Sequence, residues 1–381
     1  MVELDAERQR QAAEYARKRR RLGVTGFIAG GIFIALLLLS PVSDSIAERL
    51  PDSPVPAAAL YFALLMFVYD LVMLPLSYFG GLALPRRYGL SRQNVQGWLG
   101  DHFKSLSMSI VFGSAAVAAL YFLMQRWPDG WWLLAWAGLM VVSLVLTVLA
   151  PVLIIPLFFK MKLMNTGELK DRLEALVTRT GVTVGGIYVI EFSEKTSQAN
   201  AAVMGLGKTK RVAISDTLIE QYSPEEIEMV MAHELAHQRH ADVWKLFGFQ
   251  AAMLLVVFAL GAWIYNYLVT TLDYVNLTNA AVLPLLLVSF FAVGMPALPF
   301  SGWFSRRLES AADAYALELT GDPEVFISAM TKLTDQNLSE ARSPSFLERL
   351  GQDHPGYTDR VRMAQEFSGK LTHNKSISKD L

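Results

Sequence analysis

The chain has 381 residues, 53% of them hydrophobic and only 18% charged, a balance too apolar for an ordinary soluble protein of this length. A net charge of −1 gives no electrostatic case for nucleic acid, and no nucleic-acid partner is expected. The absence of cysteine excludes disulfides, thiolate metal sites and cysteine nucleophiles.

Residues 1–23 form a basic segment ending in Arg17, Lys18, Arg19, Arg20 and Arg21. The apolar run that follows, 24–42, lacks a small-residue cleavage site and reads as a retained membrane span rather than a signal peptide. Runs at 57–84, 105–125 and 131–159 complete an N-terminal membrane region over 24–159, and runs at 246–270 and 281–300 form a second over 246–300. Each approaches or exceeds the roughly 20 residues that cross a bilayer as a helix. A chain reversal at Pro75 or Pro151, inside the two longest runs, would raise the count from six to seven. Trp127, Trp131 and Trp132 stand where an aromatic belt meets the outer interface. Basic residues before the first span and after the second, including Arg86, Arg87, Arg92 and Lys104, put both termini on the cytoplasmic side by the positive-inside rule. That membrane is the bacterial inner membrane, or the endoplasmic reticulum in a eukaryote. Asp70, deep in the second run, faces either a water-filled interior or a polar partner on another helix.

Two polar regions, 160–245 and 301–367, are expected on the cytoplasmic side as one domain divided by a pair of spans, with 368–381 a polar, mobile tail. "LKDRLEALVTRTG" reads as an amphipathic helix closed by Gly181. "IYVIEF", "NAAVM" and "RVAIS" read as short strands, with Gly205 and Gly207 in the turn between the last two. A strand such as "NAAVM" offers an edge on which an extended peptide pairs through its backbone, with Ala201 on the strand and Asn200 at its start holding the register.

"YSPEEIEMVMAHELAHQRH" opens with Ser223 as N-cap, Pro224 in the first turn and Glu226 closing a capping box, so a helix is predicted. On it His233 and His237, four apart, share a face, and Glu234 stands beside them. That is the pattern of zinc peptidases in which the two imidazoles bind the ion and the glutamate takes a proton from water. A catalytic zinc site takes a third protein ligand and leaves a position for water. Without cysteine the third is His, Asp or Glu. "LESAADAYALEL" supplies the strongest candidate: Glu309 as ligand, with Asp313 accepting a hydrogen bond from a ligand histidine. His240 is either a further donor to this site or a solvated helix-end residue.

These residues resemble the M48 metallopeptidases, most closely the Ste24 type, the integral-membrane CAAX prenyl proteases. The resemblance rests on "HELAH", on "ESAAD" with two spans between, on "SQANAAVMGLGKTKRVAISDTLIE", on "PLFFKMKLMNTGELK" and on "DHPGYTDRV". It implies that His233, His237 and Glu309 hold one Zn²⁺, that Glu234 is the general base and that Asp313 supports the ligands. It further implies that Asn200 contacts substrate, and that His354 and Arg360 stabilise the oxyanion or a substrate carboxylate. Two features depart from the family: Gly356 stands where a second proline is usual, and six runs stand where seven spans are. The expected fold is mainly α: a polytopic membrane protein of six or seven transmembrane helices with a zincin-like metalloprotease domain containing a small β-sheet. The expected partners are the lipid bilayer and a peptide or protein substrate, prenylated if the resemblance extends that far. The competing functions are an HtpX-like quality-control protease for membrane proteins and a non-catalytic, zinc-stabilised membrane scaffold. Retention of Glu234 argues against the scaffold, because a structural zinc needs no base.

Overall fold

The computed structural model describes residues 3–272, 274, 276–342 and 354–377. Helix α1 (Ala6–Leu39) starts where the Asp5 carboxylate accepts from the N–H groups of Glu7 and Arg8. No proline interrupts it before Pro41, so the basic segment and the first apolar run form one rod of about 51 Å rather than a separate tail and span. Helix α2 (Pro54–Tyr78) continues through a π-helical turn, Phe79–Ala83, to Arg87. Helix α3 is Val95–Arg126, and α4 (Trp131–Leu149) continues through a second π turn, Ala150–Ile154, to Phe158.

Neither suspected break is a reversal: Pro75 lies within the regular part of α2, before its π turn, and Pro151 lies within the second π turn. A π turn lets the helix go on past a proline that lacks its N–H and would clash with the preceding turn. Six helices among the described residues are long and apolar enough to cross a membrane. Their outer faces carry exposed Phe27, Ile32, Phe67, Phe112, Val141 and Trp263, a surface suited to lipid tails and not to water.

Between the fourth and fifth of these helices the chain builds a sheet. Strand β1 (Met161–Leu163) precedes α5 (Glu168–Thr180), which Gly181 closes in the left-handed region. Strands β2 (Ile187–Ile190), β3 (Ala201–Met204) and β4 (Arg211–Ser215) complete a sheet of order β1-β2-β4-β3. The β2–β4 pair is parallel; β1–β2 and β3–β4 are antiparallel. Gly205 in the β3–β4 turn is required: its φ is +88° and a Cβ there would lie 2.5 Å from the Thr209 carbonyl oxygen. Strand β1 escaped the sequence reading because three residues carry no period. Strand β2 also ends two residues earlier than expected, because the Phe192 N–H turns to Asp216 Oδ1.

Helix α6 (Pro224–Arg239) has the predicted capping box, and α7 (Asp242–Thr271) leads away from it. Helix α8 (Leu283–Thr320) returns, followed by α9 (Pro323–Gln336) and α10 (Tyr357–Ile377). Helix α10 runs into the segment expected to be a mobile tail, since nothing after Ser368 breaks the helix; residues 378–381 lie outside the described residues.

Among the described residues two large apolar cores result, beside a small cluster of Ala12, Leu90 and Leu338. One, around Leu173, Ile214, Met231, Leu235, Ala316 and Phe326, unites the residues before α7 with those after α8. The other, around Tyr61, Tyr121, Trp131, Tyr265 and Val282, closes the far ends of the membrane helices. Trp131, expected in the interfacial belt, is only 1% exposed in this second core, packed edge-on to Tyr265; Trp127 remains exposed.

Candidate active site

The capping box fixes the start of α6, and Ala312 and Ala316, both fully buried, let α8 pack close beside it. His233 and His237 then stand edge to face with ring centroids 5.0 Å apart. From α8, Glu309 reaches between them: Oε2 lies 3.2 Å from His233 Nε2 and Oε1 lies 3.5 Å from His237 Nε2. One ligand atom from each of the three residues falls within 4.8 Å of the others. Glu309 Oε2 is buried without a hydrogen-bond partner among the described residues, a costly condition that a cation between the three groups removes. Two imidazoles and a carboxylate suit a divalent metal ion.

Around these three residues stands a ring of orienting groups. Asp313 is fully buried, with Oδ1 2.8 Å from His233 Nδ1, a short contact whose alignment falls outside hydrogen-bond geometry. Its carboxylate also accepts from Arg360, Nε to Oδ2 at 2.9 Å and Nη2 to Oδ1 at 2.5 Å. Arg360 thus stands between Asp313 and the cleft it lines. The forked donors face Asp313 and hold it in place, leaving His354 as the one of the pair that looks into the metal cluster. His354 Nε2 is 3.4 Å from Glu309 Oε2, and its side chain is 64% exposed, free to swing toward a ligand.

His237 has its own carboxylate, which the sequence reading missed. Asp242 Oδ2 lies 3.0 Å from His237 Nδ1, while Asp242 Oδ1 accepts from Lys245 Nζ at 2.9 Å. Asp242 reaches back because Ala241 adopts φ +56°, a left-handed conformation that costs a non-glycine residue about 1–2 kcal/mol and kinks the chain between α6 and α7. His240 is not part of the site; it packs edge-on against Tyr315 with centroids 5.3 Å apart. Asp70 is remote as well, bridging α2 to α3 through His102 Nε2 at 3.1 Å.

Electrostatics at α6 are set by burial. Burial pushes the Glu234 carboxyl above its ordinary value, only partly offset by His233 and His237. Burial alone would push His233 down, but Asp313 and Glu309 outweigh it and lift it to about 9, so a metal must displace a proton there.

Of the three candidate ligands His233 lines a cleft of about 640 Å³, together with Asn200, Ala201, Glu234, His354 and Arg360. Asn200 is exposed at the start of β3, and its backbone is tied to Ser215 on the inner side. Just before it, the Asn337 amide clasps Ala199, accepting from its N–H and donating to its C=O, each at 3.0 Å. This second residue missed from sequence holds the edge strand in place. The outer edge of β3, the end strand of the sheet, carries one side-chain bond, from Gln238 Nε2 to the Val203 carbonyl at 3.3 Å. A cavity of about 670 Å³ among α1, α2 and α8 lies away from all of these groups and contains no chemistry of this kind.

Two family models match the chain: the CAAX prenyl protease N-terminal model, described as five membrane helices, over residues 2–160, and peptidase family M48 over residues 164–368. The uncharacterized metalloprotease YhfN of Bacillus subtilis (strain 168) is 28% identical over 95% of this chain and 86% of its own length. CAAX prenyl protease 1 of Saccharomyces cerevisiae is 28% identical over 84% of this chain and 74% of its own. The crystal structure of S. mikatae Ste24p superposes with a TM-score of 0.79 at 25% identity, covering 95% of this chain and 89% of that one.

Proposed function

The chain belongs to peptidase family M48, and from that premise we propose that it is an integral-membrane zinc endopeptidase acting on membrane-associated or C-terminally lipidated peptides. The observation that carries this reading is the convergence of His233, His237 and Glu309, with His233 and the adjacent Glu234 lining a cleft that also meets the start of edge strand β3. A zinc ion held by those three residues would supply Lewis acidity to the scissile carbonyl and to an attacking water.

The chain's own groups do the rest. Glu234, its carboxyl raised by burial, takes the proton from the attacking water and later gives it to the leaving amine. His354 stands ready to donate to the developing oxyanion, a contribution commonly worth about 3 kcal/mol. Asp313 and Asp242 hold the two ligand imidazoles by their outer nitrogens, and Arg360 fixes Asp313. Strand β3, the end strand of the sheet, with exposed Asn200 at its start and Ala201 next to it, pairs an extended substrate. Arg17 to Arg21, Arg86, Arg87 and Arg92 all belong to the helix ends and loops nearest the protease half, which supports a cytoplasmic active site.

The test compares purified wild type with Glu234→Gln on a farnesylated CAAX peptide and on an unfolded protein, with zinc content measured in both. We expect equal zinc and a loss of cleavage of about a thousandfold in the variant. Preference for the farnesylated peptide supports the lipidated-tail substrate, whereas internal nicking of the unfolded protein supports quality control. Full activity in Glu234→Gln would overturn the mechanism.

A further inference from the structure

Arg360 lines the cleft but spends Nε and Nη2 on Asp313, so a cation with its whole guanidinium open is better placed to read a charged substrate end. The amino-terminal part of α1 supplies one. It lies along the protease half: Ala12 is fully buried, the Asp5 N–H donates to Asp335 Oδ2 at 2.8 Å, and Gln9 Nε2 donates to Asp335 Oδ1 at 2.7 Å. Gln9 Oε1 also accepts from the Ala341 N–H at 3.0 Å. These contacts fix the rotation of the helix, and Tyr15 and Arg19 consequently line the same cleft as His233, Glu234 and His354. Arg19 is exposed there, with no hydrogen-bond or ion-pair partner among the described residues. The nearby acid that might cancel it, Glu340, is already engaged by Arg20 at 2.7 Å and by Arg342 at 3.0 Å.

The sheet gives the direction of the substrate. The cleft meets β3 at its beginning, residues 198–201, while Met204 at the other end of the strand borders a different cavity. Antiparallel pairing is the more stable kind. A peptide paired antiparallel to β3 runs with its C-terminal end toward residues 198–201, into the part of the cleft that Arg19 lines. A guanidinium facing that end matches a carboxylate in shape and charge.

We infer that Arg19 is a specificity-determining residue that receives the free C-terminal carboxylate of a peptide cut a few residues from its end. This rests on the peptide-on-edge reading above. It makes the amino-terminal helix, otherwise a membrane element, part of substrate recognition.

The experiment measures binding rather than turnover. Zinc-loaded Glu234→Gln protein is titrated with a dansylated, unlipidated hexapeptide, as the free acid and as the C-terminal amide, by fluorescence anisotropy. The acid is expected to bind about tenfold tighter than the amide. Adding Arg19→Ala should bring that ratio to within about twofold of one, leaving amide affinity unchanged; Arg19→Lys should keep part of the preference and Arg17→Ala all of it. An acid preference that survives Arg19→Ala, one absent from the parent, or an equal loss of acid and amide binding would overturn the inference. If the ratios behave as expected but wild type cuts neither substrate class, the proposed function falls while the assignment of Arg19 stands.

Discussion

In the protease half, α6 buries Ile227, Met231 and Leu235 almost completely between the sheet and the helices that follow it, whereas the apolar stretches of α1, α3 and α4 are only 6% buried within the protein. The same kinds of side chain are thus used in two ways. Around the metal cluster apolar groups exclude water and fix geometry; along the membrane helices they face outward and match a solvent of lipid tails. The membrane half becomes a true core only at its far end, where Tyr61, Tyr121, Trp131 and Tyr265 meet. Ligand placement depends on the tight half and on the one membrane helix, α8, that carries its apolar run directly into Glu309 and Asp313.

The contrast can be broken most strongly at tryptophan. Trp131→Ala, in the far-end core, is expected to cost about 3–5 kcal/mol, read as a lower unfolding midpoint in nanodiscs. Trp263→Ala, 66% exposed on a lipid-facing surface, should stay within about 0.5 kcal/mol. Equal effects would mean that the two environments are not distinct. A smaller effect is expected at the ligand support: Asp242→Ala should weaken zinc binding by about 10- to 100-fold by chelator competition, with the fold intact by circular dichroism. Unchanged affinity would show that His237 needs no such partner.

The smallest effect sharpens the account of the tight half. Glu226 is almost fully buried, accepts from the Ser223 N–H, and takes Lys332 Nζ at 2.7 Å and Ser328 Oγ at 2.6 Å. Burial pushes its carboxyl up, but these donors outweigh burial and leave it below the ordinary value of 4.5. A depressed carboxylate contributes stability above its unfolded value and loses it as pH falls through the folded one. Glu226→Gln should therefore lower the midpoint at pH 7 by the equivalent of about 1 kcal/mol, and the difference should shrink steadily below pH 4.5. A gap that widens in acid would refute the assignment.

Much of this was readable from local pattern. Ser223, Glu226, His233 and His237 lie on one helix, where spacing translates directly into a shared face, and Gly205 marks its turn because no other residue fits. The six long helices followed from length and apolarity alone. What was hidden depends on chain geometry that no local window contains. Asp242 meets His237 only because Ala241 takes a left-handed conformation that alanine rarely adopts. The bonds from Arg360 to Asp313, 47 residues earlier, likewise join segments that no local pattern connects. The basic start of α1 read as a topology signal, and its docking on Asp335, 330 residues away, left no periodic trace.

In the proposed site one metal ion is held jointly by α6 and α8, across the pair of membrane helices that separates their sequences. The most direct measurement is zinc per chain by inductively coupled plasma mass spectrometry, for wild type and for Glu309→Ala purified identically. The account expects about one zinc in wild type and less than about a tenth in the variant, with both folded by circular dichroism. Stoichiometric zinc retained in Glu309→Ala would contradict it.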